Sequence, residues 1–381
     1  MSRFAFRPAF AVVLAVGILA GCAGRPVATA PASEPDQGGA DPLLAGSGIA
    51  HVVVGEAFVT PATPDDNVDS PAVWIDAVGR PLLLATAKAS GRLKIYDGDS
   101  GAPLGDRGTP GTGVGQFDRP NGIFVIGDLA FVVERDNHRV QVLRLPAFAS
   151  LGSFGDGDLV QPYGLWLQET APGRYDVLVS DAYMAGTDAH GEDVAPPLSA
   201  LGARIKRYAV EVDAGRLRAR LTGTHGDTTE AGAISIPESL WGDPANGRLL
   251  VAEEDTATGT AVRDYGLDGR FRGRTLGLGL FKAQAEGIAL WACGDGSGYW
   301  IATDQFKDRS LFHVFDRRTL EHLGAFAGRV TGNTDGVWLH AGATPRFPDG
   351  AFYAVHDDQA VAAFDWRDIA RGLSLAPRCP N

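Results

Sequence analysis

The chain has 381 residues and a formal net charge of −12, with 34 Lys and Arg against 46 Asp and Glu. That balance excludes a nucleic-acid partner, because phosphate backbones are held by basic surfaces, but it leaves open an anionic small molecule recruited through metal ions. With 50 Gly, 23 Pro and 45 % apolar residues, the composition suits a large core cut by many turns into short strands.

The first 22 residues read as an export signal. Arg3 and Arg7 supply the basic start, and residues 9–20 form an apolar run too short to span a membrane comfortably. The run ends Leu19-Ala20-Gly21-Cys22, which resembles a bacterial lipobox, where the Cys takes lipid and becomes the mature N-terminus. Ala23 follows, in place of the Asp of an inner-membrane retention signal. The expectation is an exported chain, anchored by lipid on Cys22 to the bacterial outer membrane. It would face the periplasm or the cell surface and touch the membrane through that anchor alone. Residues 23–49, rich in Ala, Pro, Gly and Asp without periodicity, read as a flexible tether. Residues 50–381 are then one domain, expected to be a monomer. Cys293 and Cys379 remain either as a pair in an oxidising compartment or as two free thiols.

One element recurs six times: Ser70-Pro71-Ala72-Val73-Trp74, Pro120-Asn121-Gly122-Ile123-Phe124, Pro162-Tyr163-Gly164-Leu165-Trp166, Pro237-Glu238-Ser239-Leu240-Trp241, Ala285-Glu286-Gly287-Ile288-Ala289 and Thr334-Asp335-Gly336-Val337-Trp338. A second strand follows each time, at 82–87, 129–133, 177–180, 249–252, 299–303 and 351–355, and runs into a polar cluster. Period-two alternation means strands with one face in a core. Units of about 45–60 residues hold four strands each, which is one propeller blade. The fold expected is all-β, a six-bladed β-propeller, with a strand at 52–58 completing the last blade. Gly115-Gln116-Phe117-Asp118 with Asp136-Asn137-His138-Arg139 also resembles one NHL-type repeat.

Equivalent positions of a propeller form rings about its channel. The variable residue of the element gives Pro71, Asn121, Tyr163, Glu238, Glu286 and Asp335. The second strands end near Lys88, Arg135, Glu253, Glu254, Asp255, Asp304, Gln305, Asp357 and Asp358. Carboxylates crowded into a ring repel unless protonated or bridged by a cation. Oxygen donors without clustered His or Cys favour calcium.

These residues resemble the β-propeller phytases over about residues 50–375. The resemblance rests on Asp69-Ser70-Pro71-Ala72-Val73-Trp74, Lys88-Ala89-Ser90-Gly91, Val251-Ala252-Glu253-Glu254-Asp255, Glu286-Gly287-Ile288, Gln305 and Thr334-Asp335-Gly336. It implies a calcium-dependent phosphomonoester hydrolase of the 3-phytase type, releasing phosphate from myo-inositol hexakisphosphate. The implied calcium ligands are Asp69, Glu238, Glu254, Glu286, Gln305 and Asp335. Lys88 and Arg135 would hold phosphate oxygens, Glu238 would orient or deprotonate the water, and Tyr163 falls on a family site position. The chain departs from the family at Ser70 and Gln284, where Asp is usual, at Asp181-Ala182, where a Lys is usual, and in an inserted stretch at 182–201. Two alternatives stay open: a calcium-dependent lactonase-type propeller using Glu238, Asn121 and Asp335, and a propeller that binds a ligand without chemistry.

Overall fold

The computed structural model describes residues 1–2, 42–191 and 193–380. Cys22, nearly all of the export signal and the tether up to residue 41 lie outside the described residues.

Six inner strands line a channel: Val68–Ile75, Pro120–Ile126, Pro162–Ala171, Pro237–Asp243, Ala285–Ala292 and Val337–His340. Each packs against the next, and the sixth packs against the first, so the ring closes. Each begins a four-stranded antiparallel blade, as in blade 1, where Pro81–Ala87, Arg92–Asp97 and Pro103–Arg107 follow outward. The structure is therefore the six-bladed β-propeller that the repeat predicts. The third residue after each ring position fills the channel: Phe124, Trp241 and Trp338, from blades 2, 4 and 6, meet with centroids 5.1, 5.2 and 5.4 Å apart. Offset and edge-on ring contacts of this kind add to the area they bury.

Closure differs in one respect from the expected single strand at 52–58. Phe58–Val59 does complete blade 6, pairing with Ala362 and Ala363, whereas Val52–Val53 runs parallel to the outer strand of blade 5 at Phe326 and Ala327. Glu56 breaks the run. Its carboxylate accepts N–H bonds from Arg329, Val330 and Thr331 at 3.1, 2.9 and 3.0 Å, drawing the segment across the seam between the two blades. Contacts with the propeller begin still earlier, at the short helix Leu44–Ser47 within the stretch read as tether. Leu44 is buried against Phe306 and Ala327, and its N–H reaches Asp308 at 2.7 Å.

At the other terminus, Trp366–Gly372 forms a helix N-capped by Asp365, and Trp366 stacks on Trp291 of blade 5 at 5.1 Å. Cys293 and Cys379 are disulfide-bonded across 86 residues, which settles the alternative left open by the sequence. A loop of that length gives a cross-link worth about 4.5 kcal/mol through unfolded-state entropy. Reduction is expected to lower the melting temperature by several degrees; an unchanged melt in reductant would show that the helix alone holds the tail.

Candidate active site

The strand register defines two rings. The first paired residues of the inner strands, Val68, Pro120, Pro162, Pro237 and Ala285, oppose Ala87, Glu134, Asp181, Glu253 and Asp304 at the ends of the second strands. One step further along each inner strand lie Asp69, Asn121, Tyr163, Glu238 and Glu286, with Asp335 ahead of the blade 6 strand. One step beyond each second strand lie Lys88, Arg135, Ala182, Glu254, Gln305 and Asp357. Antiparallel pairing puts both sets at the same mouth. The residue of blade 1 in the first ring is Asp69 and not Pro71. The register shift between Val68 and Pro71, which recurs in blades 3, 4 and 5, puts Ser70 in step with Gly164, Ser239 and Gly287.

Those glycines have a packing reason. The N–H of Gly287 donates to the Asp335 carbonyl and that of Gly336 to the Asp69 carbonyl, each at 2.9 Å. A Cβ on either would lie 2.6 Å from the same oxygen, so only Gly lets the next blade approach this closely. Hydroxyls complete the lacing: Thr86 donates to the Asn121 carbonyl, Ser180 to that of Glu238 and Ser239 to that of Glu286.

Several acids expected at the mouth serve the backbone instead. Glu253 accepts from Ile236 N–H at 2.9 Å and Asp304 from Ala283 N–H at 2.8 Å, as Asp181 does from Gln161 and Glu134 from Asp118 in blades 3 and 2. Each carboxylate thus fixes the loop that leads into an inner strand. Asp255 holds Ala257 N–H and the Thr258 hydroxyl, both at 2.8 Å. Burial pushes the Glu253 carboxyl up to about 7 despite its backbone donors. The NHL-like residues are also structural, because Arg139 binds Glu134 at 2.8 Å and the carbonyls of Thr112, Gly113 and Gln116.

The rings are mostly acidic. Blade 1 contributes Asp69 and Lys88, blade 2 contributes Arg135, and blades 4, 5 and 6 contribute Glu238, Glu254, Glu286, Asp335 and Asp357. Lys88 is buried, with its ammonium 2.9 Å from Asp69 and 3.1 Å from Asp335, so it bridges blades 1 and 6. Ser70 donates its hydroxyl to Asp69 at 2.8 Å, and the Gln305 amide donates to the second oxygen of Asp335. Lys307, which the sequence reading missed, donates to Gln305 at 3.3 Å and to Asn333 at 2.5 Å. Its position two residues past Gln305 was the only signal that could have found it. Gln284 donates its amide to Glu254 at 3.2 Å. The departures at Ser70 and Gln284 therefore replace a carboxylate by a neutral donor to the acid that remains. Arg135 pairs with Asp136 at 3.4 Å, and Tyr163, Glu238 and Glu286 are buried in the first ring.

Among the described residues, no three acids, His or Cys already converge as a metal site. The donor set nonetheless fits a hard cation: it is all oxygen, Lys88 shows the Asp69–Asp335 gap filled by positive charge, and the buried Asn121 amide has no hydrogen-bond partner.

Fold and site together define a six-bladed propeller whose mouth gathers acids from four blades around Lys88 and Arg135. Residues 224–364, which span blades 4 to 6 and carry Glu238, Glu254, Glu286, Gln305 and Asp335, match the phytase family, and this match supports a phytase-like hydrolase at the level of the family. No curated protein matches the sequence significantly. Solved structures similar to the chain include one in a nidogen/laminin complex (11 % identity, 72 % of this chain and 86 % of that chain, TM-score 0.45). Kuenenia stuttgartiensis hydrazine synthase is another (11 %, 88 % and 84 %, 0.43), as is BBS1N in complex with ARL6DN, soaked with lead (12 %, 82 % and 97 %, 0.42).

Proposed function

We propose that the mouth is the active site of a calcium-dependent phosphomonoester hydrolase resembling 3-phytase, with myo-inositol hexakisphosphate as the first substrate to test. The observation that carries this reading is the acid-rich mouth, where Lys88 is clamped between Asp69 and Asp335 and blades 4 and 5 add Glu238, Glu254 and Glu286 to the same two rings. Glu238, Glu254 and Glu286, with Gln305 and Asp335 beside them, would hold calcium. When bound, the ion supplies the positive charge that lets an anionic phosphate approach and makes a water more acidic. Lys88 and Arg135 hold the phosphate oxygens by charge-assisted hydrogen bonds. Glu238 accepts the proton of the attacking water.

Phosphate release from inositol hexakisphosphate should appear only with calcium. Glu238→Gln, which keeps shape and removes charge, should lower it on the order of 10³-fold without changing the melting temperature by more than a few degrees. Calcium-independent release, or full activity in Glu238→Gln, would sink the proposal. Hydrolysis of lactones in place of phosphate esters would move the single-ion reading with Glu238, Asn121 and Asp335 ahead.

The outer-membrane lipid anchor at Cys22 is proposed from the sequence alone. Incorporation of labelled palmitate, lost in Cys22→Ala, tests it.

A further inference from the structure

Ala182 stands in the second ring where the family resemblance expects a lysine, and from it the chain leaves blade 3 for the insertion at 182–201. The insertion is fastened in place. Arg204, fully buried, donates to the carbonyls of Asp181 and Ile234 at 3.2 Å, of Tyr183 at 2.5 Å and of Ser235. Its guanidinium lies 4.3 Å over the Tyr183 ring, and the Tyr183 hydroxyl donates to Ala200 at 2.5 Å. This one side chain joins the base of the insertion to the loop that enters blade 4.

Between insertion and blade 4 lies a cavity of about 540 Å³, within the usual range for small-molecule sites. Ala195, Pro196, Leu198, Leu201 and Ala233 make its apolar wall. Among the described residues its charged groups are Glu230, Glu253 and Asp255 against one cation, Arg263, and Arg263 is already tied to the Ala233 carbonyl and the Thr275 hydroxyl. An additional phosphate would meet three acids here, whereas an apolar body would meet aliphatic side chains. The cavity wall also runs next to mouth residues along the chain. Ser235 in its wall is three residues before Glu238, and Glu253 and Asp255 flank Glu254.

We propose that this cavity is a leaving-group subsite, holding the apolar alcohol of a phosphate monoester whose phosphate lies at the mouth. The inference rests on the phosphomonoesterase reading and extends its substrates to esters of apolar aryl alcohols. In the reaction the water oxygen bonds to phosphorus, the bond from phosphorus to the alcohol oxygen breaks, and the alcohol leaves carrying a proton, so that ester and water give alcohol and inorganic phosphate.

The test uses the full chain with calcium and three substrates: 1-naphthyl phosphate, methyl phosphate and inositol hexakisphosphate. kcat/KM for the naphthyl ester should exceed that for methyl phosphate at least tenfold, and Ala195→Trp, which fills the cavity from the partly exposed insertion, should reduce that ratio on the order of tenfold through KM. Equal values for the naphthyl and methyl esters, or a ratio untouched by Ala195→Trp and by Leu198→Glu, would overturn the subsite while leaving the hydrolase reading intact. Calorimetric binding separates the two readings when nothing turns over. In that case 1-naphthyl phosphate binding tenfold tighter than inorganic phosphate, and weakened by Ala195→Trp, supports the subsite although the hydrolase reading falls. Equal binding of the two overturns it.

Discussion

Lys88→Met is expected to destabilise the calcium-free protein by about 3–5 kcal/mol, the usual cost of removing one partner from a buried ion pair. The methionine keeps the length of the side chain, so the loss is chiefly electrostatic. Asp69 and Asp335 then face each other across the seam of blades 1 and 6 without the ammonium that lies within 3.1 Å of both. Their side chains are 1 % and 12 % exposed, so water screens the repulsion poorly. Calcium should recover part of the stability, because an ion at the mouth can take over the role of the ammonium. Denaturant melts with and without calcium read this as a larger calcium-dependent shift in the variant than in the parent chain. Phosphate release should fall on the order of 10²–10³-fold with loss of the oxygen-holding charge. A variant as stable as the parent without calcium would show that Lys88 does not bridge the two acids.

The second large effect lies at the opposite end of the channel. Arg317 grips Asp243 with two bonds, at 2.6 and 2.8 Å, and its Nη1 donates to the carbonyls of Cys293 and Ser297 at 2.8 and 2.9 Å. It thereby fixes the end of the blade 4 inner strand to blade 5. Burial raises the Asp243 carboxyl, but the bonds from Arg317 and Asn246 outweigh it and hold the group below the usual carboxylate range. A depressed pKa means stability that is present above the unfolded value and lost as pH falls through the folded one. Arg317→Met should cost about 3–5 kcal/mol near neutral pH. The variant's deficit should shrink as the solution is acidified, because protonation relieves the abandoned carboxylate. Urea melts of both proteins at pH 7 and pH 4.5 check the size and the direction; a deficit that grows on acidification would refute the account.

What the sequence made legible followed from local pattern. The blades could be counted because each inner strand must present Gly or Ser where the neighbouring carbonyl approaches and alternating apolar residues where it packs, and both marks repeat. Asp69 was harder to place by repeat alone, because blade 1 carries Val68 where blades 2, 3 and 4 carry Pro120, Pro162 and Pro237, and its own proline lies three residues further on, at Pro71. The resemblance to phytases supplied it instead. Glu253 and Asp304 looked like mouth acids beside Glu254 and Gln305, and composition does not distinguish a carboxylate that binds backbone N–H groups from one turned to a ligand. Lys88 and Asp335 are far apart in sequence, and nothing short of the closed ring brings an ammonium from blade 1 to an acid from blade 6. Arg204 was invisible for a related reason. Its partners are carbonyls, which leave no mark in the sequence.

The stitch at Phe58–Val59 also sets a timetable. Its partners Ala362 and Ala363 are made about 300 residues later, a delay of about 15–60 s at ordinary translation speeds. Throughout that interval blades can form one by one, since most of their pairing is within about 50 residues, yet the circle stays open and its leading strand unpaired. Premature capture of that strand by a neighbouring chain's sixth blade would join two molecules by the same hydrogen bonds that close one. Domain-swapped chains are thus the misassembly this architecture must outrun, and dilution during refolding is the condition that favours the closed ring.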